Sequence, residues 1–149
     1  VSGLGEKQLA ALQRAASSIP IVYDRNMSVG IAVLENLVRE AARSLPGFDV
    51  EMRETHHVHK DDAPSGTALK LGEAIAAVRG TDPAEIPCAS ERRGEVPGDH
   101  EVVLSSATER LTLAHSVTTR QVFADGALVA ARWVCGKSPG LFTMHDVLE

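Results

Sequence analysis

The chain has 149 residues, 44% hydrophobic and 23% charged, which suits one ordinary globular domain and excludes a disordered tail or a fibrous repeat. Three Phe, one Trp and one Tyr leave the core to aliphatic side chains and offer no platform for stacking nucleic-acid bases. Fifteen Lys and Arg against 20 Asp and Glu give a formal charge of -5, so long-range attraction to DNA or RNA is absent and no nucleic-acid partner is expected.

Leu9, Leu12, Ala16 and Ile19 recur at spacings of three and four, which predicts an amphipathic helix over 6–19 that Pro20 ends. The β-favouring run 21–24 follows as a buried strand. Ser28 then serves as N-cap of a second helix whose stripe of Ile31, Leu34, Leu37/Val38, Ala41/Ala42 and Leu45 runs to Pro46-Gly47. Residues 48–54 alternate apolar and charged side chains, as in a strand with one buried face. Ala68, Leu71, Ile75 and Val78 predict a third helix over 64–78.

Residues 79–99, with Gly, three Pro and mixed charge, read as a long surface connection. Strands over 100–105 and 109–117 form a hairpin about Ala107-Thr108, and a helix over 119–133 follows with Val122/Phe123, Gly126/Ala127, Val129/Ala130 and Trp133/Val134 facing inward. The order predicts an α+β domain, a mixed sheet with helices packed on one face. The other face is then left for the 79–99 connection or for a second subunit, with Leu111, Leu113 and the Val102/Leu104 edge as contacts.

No apolar run reaches the roughly 18 residues of a membrane span, and VSGLGEKQLA lacks the regions of a secretion signal, so no membrane partner and a cytoplasmic location are expected. Cys88 and Cys135 form no CxxC pair and read as reduced structural thiols.

The densest chemistry lies in Glu54-Thr55-His56-His57-Val58-His59-Lys60-Asp61-Asp62-Ala63-Pro64-Ser65-Gly66-Thr67, which holds half of the six histidines. A histidine-rich strand end can be a merely solvated turn; three histidines and a lysine leading into a helix start favour a site. Pro64 suits a first helical turn, Gly66 permits close approach, and the N–H groups of Ser65, Gly66 and Thr67 with two hydroxyls form an anion cup at the positive end of the helix dipole. The cup lacks the spacing of a nucleotide phosphate loop, so a carboxylate fits as well as a phosphate. Lys60 adds a full charge, each charge-assisted bond contributing roughly 1.5–3 kcal/mol, enough together to hold a small dicarboxylate. A histidine can exchange protons near neutral pH. Asp62 is expected to cap the helix and Asp61 to be simply exposed.

Zinc on His57, His59 and Asp61 is the competing reading, opposed by the adjacent Lys60 and by the lack of HExxH or CxxC; no metal is expected. Gly3-Leu4-Gly5 has Gln8 where a dinucleotide fingerprint needs its third glycine, and Gly136-Lys137-Ser138 lacks the first glycine of a phosphate loop, Ala131 standing there.

The run Glu54-x-His56-His57-x-x-Lys60-x-Asp62-Ala63-Pro64-Ser65-Gly66-Thr67-Ala68 resembles the signature of the dihydrodipicolinate reductase family, also called 4-hydroxy-tetrahydrodipicolinate reductase. Ile19 to Tyr23, Asn26 to Gly30, and the C-terminal Gly136-Lys137, Pro139 to Phe142 and Asp146 to Leu148 are also similar to that family. The resemblance implies an oxidoreductase of the diaminopimelate route to lysine that uses NADH or NADPH to reduce dihydrodipicolinate to tetrahydrodipicolinate. It implies His56 as the general acid, Lys60 as its partner, His57 on one substrate carboxylate, and Ser65, Gly66 and Thr67 on the other. Asn26, Met27 and Ser28 match a loop that lies near the nicotinamide in the family.

The resemblance also implies a division into 1–26, the tail of a nucleotide-binding domain, and 27–149, a substrate-binding and oligomerisation domain. Most of the nucleotide-binding domain is expected to be missing, leaving a part inactive alone. Many relatives carry an additional β-hairpin where residues 94–101 are short, and a homotetramer or dimer is implied. A non-catalytic anion-binding or oligomerisation module is the alternative function.

Overall fold

The computed structural model describes residues 4–149, so Gly3 and the first residues of the expected 1–26 segment lie outside the described residues. It divides into two compact units, one made of the segments that end at Ala32 and begin at Gln121, the other of Val33–Arg120.

In the first unit, α1 spans Glu6–Ala16 and β1 spans Pro20–Val22. The predicted helix over 6–19 therefore stops early. Ser17 Oγ takes up the Arg14 carbonyl at 2.7 Å, a local bond that competes with helix propagation, and Ile19 is left 54% exposed. A proline is tolerated as first residue of β1, where no ladder donor is needed. The helix α2, Val29–Ser44, begins here with Ser28 Oγ accepting the Ile31 N–H at 3.3 Å, the cap that the sequence predicts.

The rest of the first unit is α4, Gln121–Val134, and β6, Gly140–Phe142, a strand not predicted, which pairs in parallel with β1. Ala32, Ala130, Met144 and Val147 form its core, with Val22, Met27, Val29 and Trp133 packed against them. On α4 the buried stripe is narrow: Gly126 and Ala130 are inside, whereas Val129, expected inward, is 43% exposed. A Cβ on Gly126 would lie 1.7 Å from the Met27 carbonyl oxygen, so only glycine lets the helix rest on the 26–28 turn.

In the second unit, β2 (Asp49–His56), α3 (Gly66–Arg79), β3 (Cys88–Arg92), β4 (Asp99–Ser105) and β5 (Arg110–Ser116) build a four-stranded sheet of order β3-β2-β4-β5 with helix against it. β3 is parallel to β2, and the other two pairings are antiparallel. Leu34, Val38, Ala42, Ala68, Leu71, Ile75, Met52, Val102 and Leu104 are buried, and a Cβ on Gly72 would meet Met52 Cε at 3.2 Å, which places α3 on the face bearing Met52. The α+β class is as predicted.

Two sequence expectations change. Residues 79–99 do not fold over a sheet face; they hold a short 3-10 turn, Pro83–Glu85, and then β3, which extends the sheet at its edge. Its residues Cys-Ala-Ser-Glu-Arg bury little, so no apolar alternation marks them. The registers Val102↔Leu113 and Leu104↔Leu111 place these four side chains on the face that α3 covers, where Val102 and Leu104 are fully buried and Leu111 is 38% exposed at the edge. The opposite face carries the exposed Arg53, Glu91, Arg110 and Thr112. No helix among the described residues is long and apolar enough to cross a membrane.

Candidate active site

The site begins where β2 runs out. Alternation along β2 turns Glu54 and His56 to the face covered by α3, and register sets His100 of β4 and Ser90 of β3 opposite Glu54, with Arg92 opposite His56. The chain then leaves the sheet through a turn closed by the Lys60 N–H on the His57 carbonyl at 3.2 Å, passes a cis Ala63–Pro64 bond, and starts α3. Ser65, not Asp62, is the N-cap: the helix begins at Gly66, and Ser65 Oγ accepts the Ala68 N–H at 3.2 Å. Pro64 correspondingly lies outside the helix rather than in its first turn.

Glu54, 2% exposed, is the hub. Its Oε1 accepts the Ser65 N–H at 3.1 Å and lies 3.3 Å from the Arg92 guanidinium, and its Oε2 lies 3.1 Å from His56 Nδ1 and 3.8 Å from His100 Nε2. Burial pushes its carboxyl pKa up, but hydrogen bonds with His56, Ser65 and Ser90 outweigh that and hold it well below the usual carboxylate range. Burial, assisted by the neighbouring His56, pushes His100 down to about 4 against the opposing pull of Glu54, so His100 is neutral at pH 7. Its ring meets that of His56 edge to face, centroids 5.1 Å apart.

Lys60 Nζ pairs with Asp62 Oδ1 at 2.5 Å, and this bond lowers the Asp62 pKa. Arg92 Nε donates to the Lys60 carbonyl at 3.1 Å and its Nη2 to the Asp62 carbonyl, so one guanidinium straps the 60–62 turn to Glu54. His57 is half-buried, while His59 is exposed and lies 3.4 Å from Glu95. Asp61 is exposed as expected.

The structure thus brings His56 and Ser65 together on Glu54 and ties the Lys60 turn to the same carboxylate. Of the three amides expected to face a ligand, that of Ser65 is already donated to Glu54, and Ser65 Oγ is held by Ala68 and His100. Gly66 and Thr67 stand in the first turn of α3.

Sequence reasoning names Glu54 only as part of the 54–68 run, without a role, and passes over Arg92 and His100. Glu54 sits two residues before His56, on the same strand face, and that spacing could have found it. No local pattern points to Arg92 or His100.

Among the described residues, Glu54, His56 and His100 also offer ligand atoms within 4.8 Å of one another. That set differs from the zinc alternative on His57, His59 and Asp61. The Arg92 guanidinium on Glu54 Oε1 competes with any cation there.

Asn26, Met27 and Ser28 lie in the first unit. Asn26 N donates to Asp24 Oδ1 at 3.3 Å and Asn26 Oδ1 accepts the Ser28 N–H at 2.8 Å, so these groups hold the turn that caps α2. Beside it lies a recess of about 310 Å³ lined by Val22, Met27, Ala127 and Ala130 among others.

A family model described as dihydrodipicolinate reductase, C-terminus, matches residues 30–148. The 4-hydroxy-tetrahydrodipicolinate reductase of Xanthomonas campestris pv. campestris is 49% identical over 147 residues, covering 99% of this chain and 60% of the relative. The enzyme of the same name from Caldanaerobacter subterraneus subsp. tengcongensis is 41% identical over 163 residues, covering 99% and 65%. Among solved structures, a dipicolinate-bound dihydrodipicolinate reductase from Paenisporosarcina sp. TG-14 superposes with a TM-score of 0.74 at 26% identity, covering 96% of this chain and 60% of the other. The chain spans 60–65% of the length of these relatives. By the match of its residues 30–148 to that family model, the chain belongs to the dihydrodipicolinate reductase family.

Proposed function

We propose that this chain supplies the substrate-binding and proton-donating part of a 4-hydroxy-tetrahydrodipicolinate reductase, acting on a cyclic dicarboxylate on the diaminopimelate route to lysine. The observation that carries the reading is the placement of His56 at the end of β2, its Nδ1 3.1 Å from a buried carboxylate that also holds the start of α3. A reduced nicotinamide nucleotide, NADH or NADPH, supplies the hydride when bound.

His56 donates the proton to the ring carbon. Lys60, held in place by Asp62, offers positive charge to the ring substituents, and His57 meets one carboxylate. The first-turn amides at Gly66 and Thr67 meet the other, at the positive end of α3. Ser65 contributes by anchoring that helix start. The dipicolinate in the Paenisporosarcina relative supports a dicarboxylate ligand. A cytoplasmic location and assembly into dimers or tetramers belong to the same proposal.

Titration of the chain with pyridine-2,6-dicarboxylate tests it. Binding is expected to disappear in Lys60→Ala and to be indifferent to zinc chelators. In the full-length reductase, His56→Ala and Lys60→Ala should each lower turnover roughly 10²-fold, the scale of a lost general acid. Near wild-type turnover in His56→Ala would remove the proton-donor role, and binding without any turnover in the full-length protein would leave only an anion-binding module. The chain alone is expected not to oxidise NADH.

A further inference from the structure

We infer that Glu54 is the positioning residue for His56: it fixes the imidazole with Nδ1–H against the carboxylate and Nε2 on the side of Gly98, so that Nε2 is the nitrogen that passes the proton. The orientation rests on the 3.1 Å approach of His56 Nδ1 to Glu54 Oε2, two buried atoms to which no other group is hydrogen-bonded, and on the ionised state of that carboxylate. The proton transfer rests on the role given to His56 above.

The carboxylate is itself immobilised. The Ser65 N–H at 3.1 Å and the Arg92 guanidinium at 3.3 Å share Oε1, which leaves Oε2 turned to His56 Nδ1 at 3.1 Å. An ionised carboxylate has no hydrogen to donate, and Glu54 is held well below the usual carboxylate range. The ring nitrogen facing it must therefore carry hydrogen. A neutral imidazole holds only one, so Nε2 is the nitrogen without it.

The remaining sides of the ring are set by two neighbours. His100 packs edge to face at 5.1 Å. Gly98 has φ +153, and a Cβ there would lie 3.0 Å from His56 Nε2, 3.4 Å from Cδ2 and 3.8 Å from His100 Cε1. Glycine thus suits the backbone, and a side chain at this position would crowd Nε2. When the ring is doubly protonated, the carboxylate retains the hydrogen on Nδ1. The N–H bond at Nε2 is then the one that breaks. Its electron pair stays on nitrogen, and the proton goes to the substrate ring carbon that hydride addition has made electron-rich. The arrangement follows the logic of a carboxylate that orients a histidine without taking its proton.

Two-bond ¹H–¹⁵N spectra of the histidine-labelled chain read the orientation directly. The neutral His56 ring is expected as the Nδ1–H form, and Glu54→Gln, whose amide both donates and accepts, should shift it toward the Nε2–H form. A wild-type His56 ring in the Nε2–H form overturns the inference with no variant needed. In the full-length reductase, Glu54→Gln should lower kcat about 10- to 100-fold, as loss of an outer hydrogen-bond partner does, with KM for the ring substrate nearly unchanged. Glu54→Asp, which keeps the charge, should recover part of kcat. Unaltered kcat in Glu54→Gln also overturns it. Should His56→Ala keep full turnover while the wild-type ring shows Nδ1–H, the proton-donor reading fails and the orientation is upheld.

Discussion

Ser65 Oγ lies 3.1 Å from His100 Nε2 while accepting the Ala68 N–H, so a single hydroxyl starts α3 and ties it to β4. Ser65→Ala removes the cap and leaves a buried imidazole nitrogen without its neighbour. A loss of about 2 kcal/mol in urea unfolding is expected, with Ser65→Thr recovering most of it. A loss below about 0.5 kcal/mol would show that the hydroxyl is not needed at this junction.

Acid should destabilise the chain in a defined window. His100 is neutral in the folded state, its pKa pushed from 6.5 to about 4, whereas the unfolded imidazole takes a proton below 6.5. The unfolded chain thus binds more protons between about 4 and 6.5, and stability falls as pH drops through that range, by up to ~3 kcal/mol. Below 4.5 Glu54 acts in the same direction, because its folded carboxyl stays ionised where the unfolded one is protonated. Unfolding midpoints across this range should slope upward with pH, and His100→Gln should flatten the part above 4.5. An equal slope in that variant assigns the loss to other groups.

Gly126→Ala tests the contact of α4 with the 26–28 turn. A Cβ 1.7 Å from the Met27 carbonyl oxygen has to displace backbone, at a cost of about 3 kcal/mol or a Tm lower by roughly 10 °C. Gly47→Ala is the control: nothing lies within 4 Å of a Cβ there, so a change within about 0.5 kcal/mol is expected.

Arg92→Lys should not substitute for the wild type. The guanidinium reaches Glu54 and the carbonyls of Lys60 and Asp62 at once, and one ammonium on a flexible stem cannot. Amide exchange over 57–64 should accelerate, and affinity for pyridine-2,6-dicarboxylate should fall about 10-fold, since ordering the turn then costs free energy on binding. Unchanged exchange in the variant would show that the turn is held by its own bonds.

What the amino-acid order determined by itself was local. The stripe of Ile31, Leu34, Val38 and Ala42 specifies α2 because one face of a single helix is buried, and Ser28 marks its start. The hairpin of β4 and β5 and the Glu54 to Thr67 segment were legible for the same reason: their signals lie within a few residues of each other. Only the tertiary structure decided that Arg92 and His100 join Glu54, that Ser65 rather than Asp62 caps α3, and that the Ser65 amide turns inward. Edge strands such as β3 and β6 bury too little to leave a periodic trace, and hydrogen-bond partners on separate strands are chosen by register, which no single segment encodes.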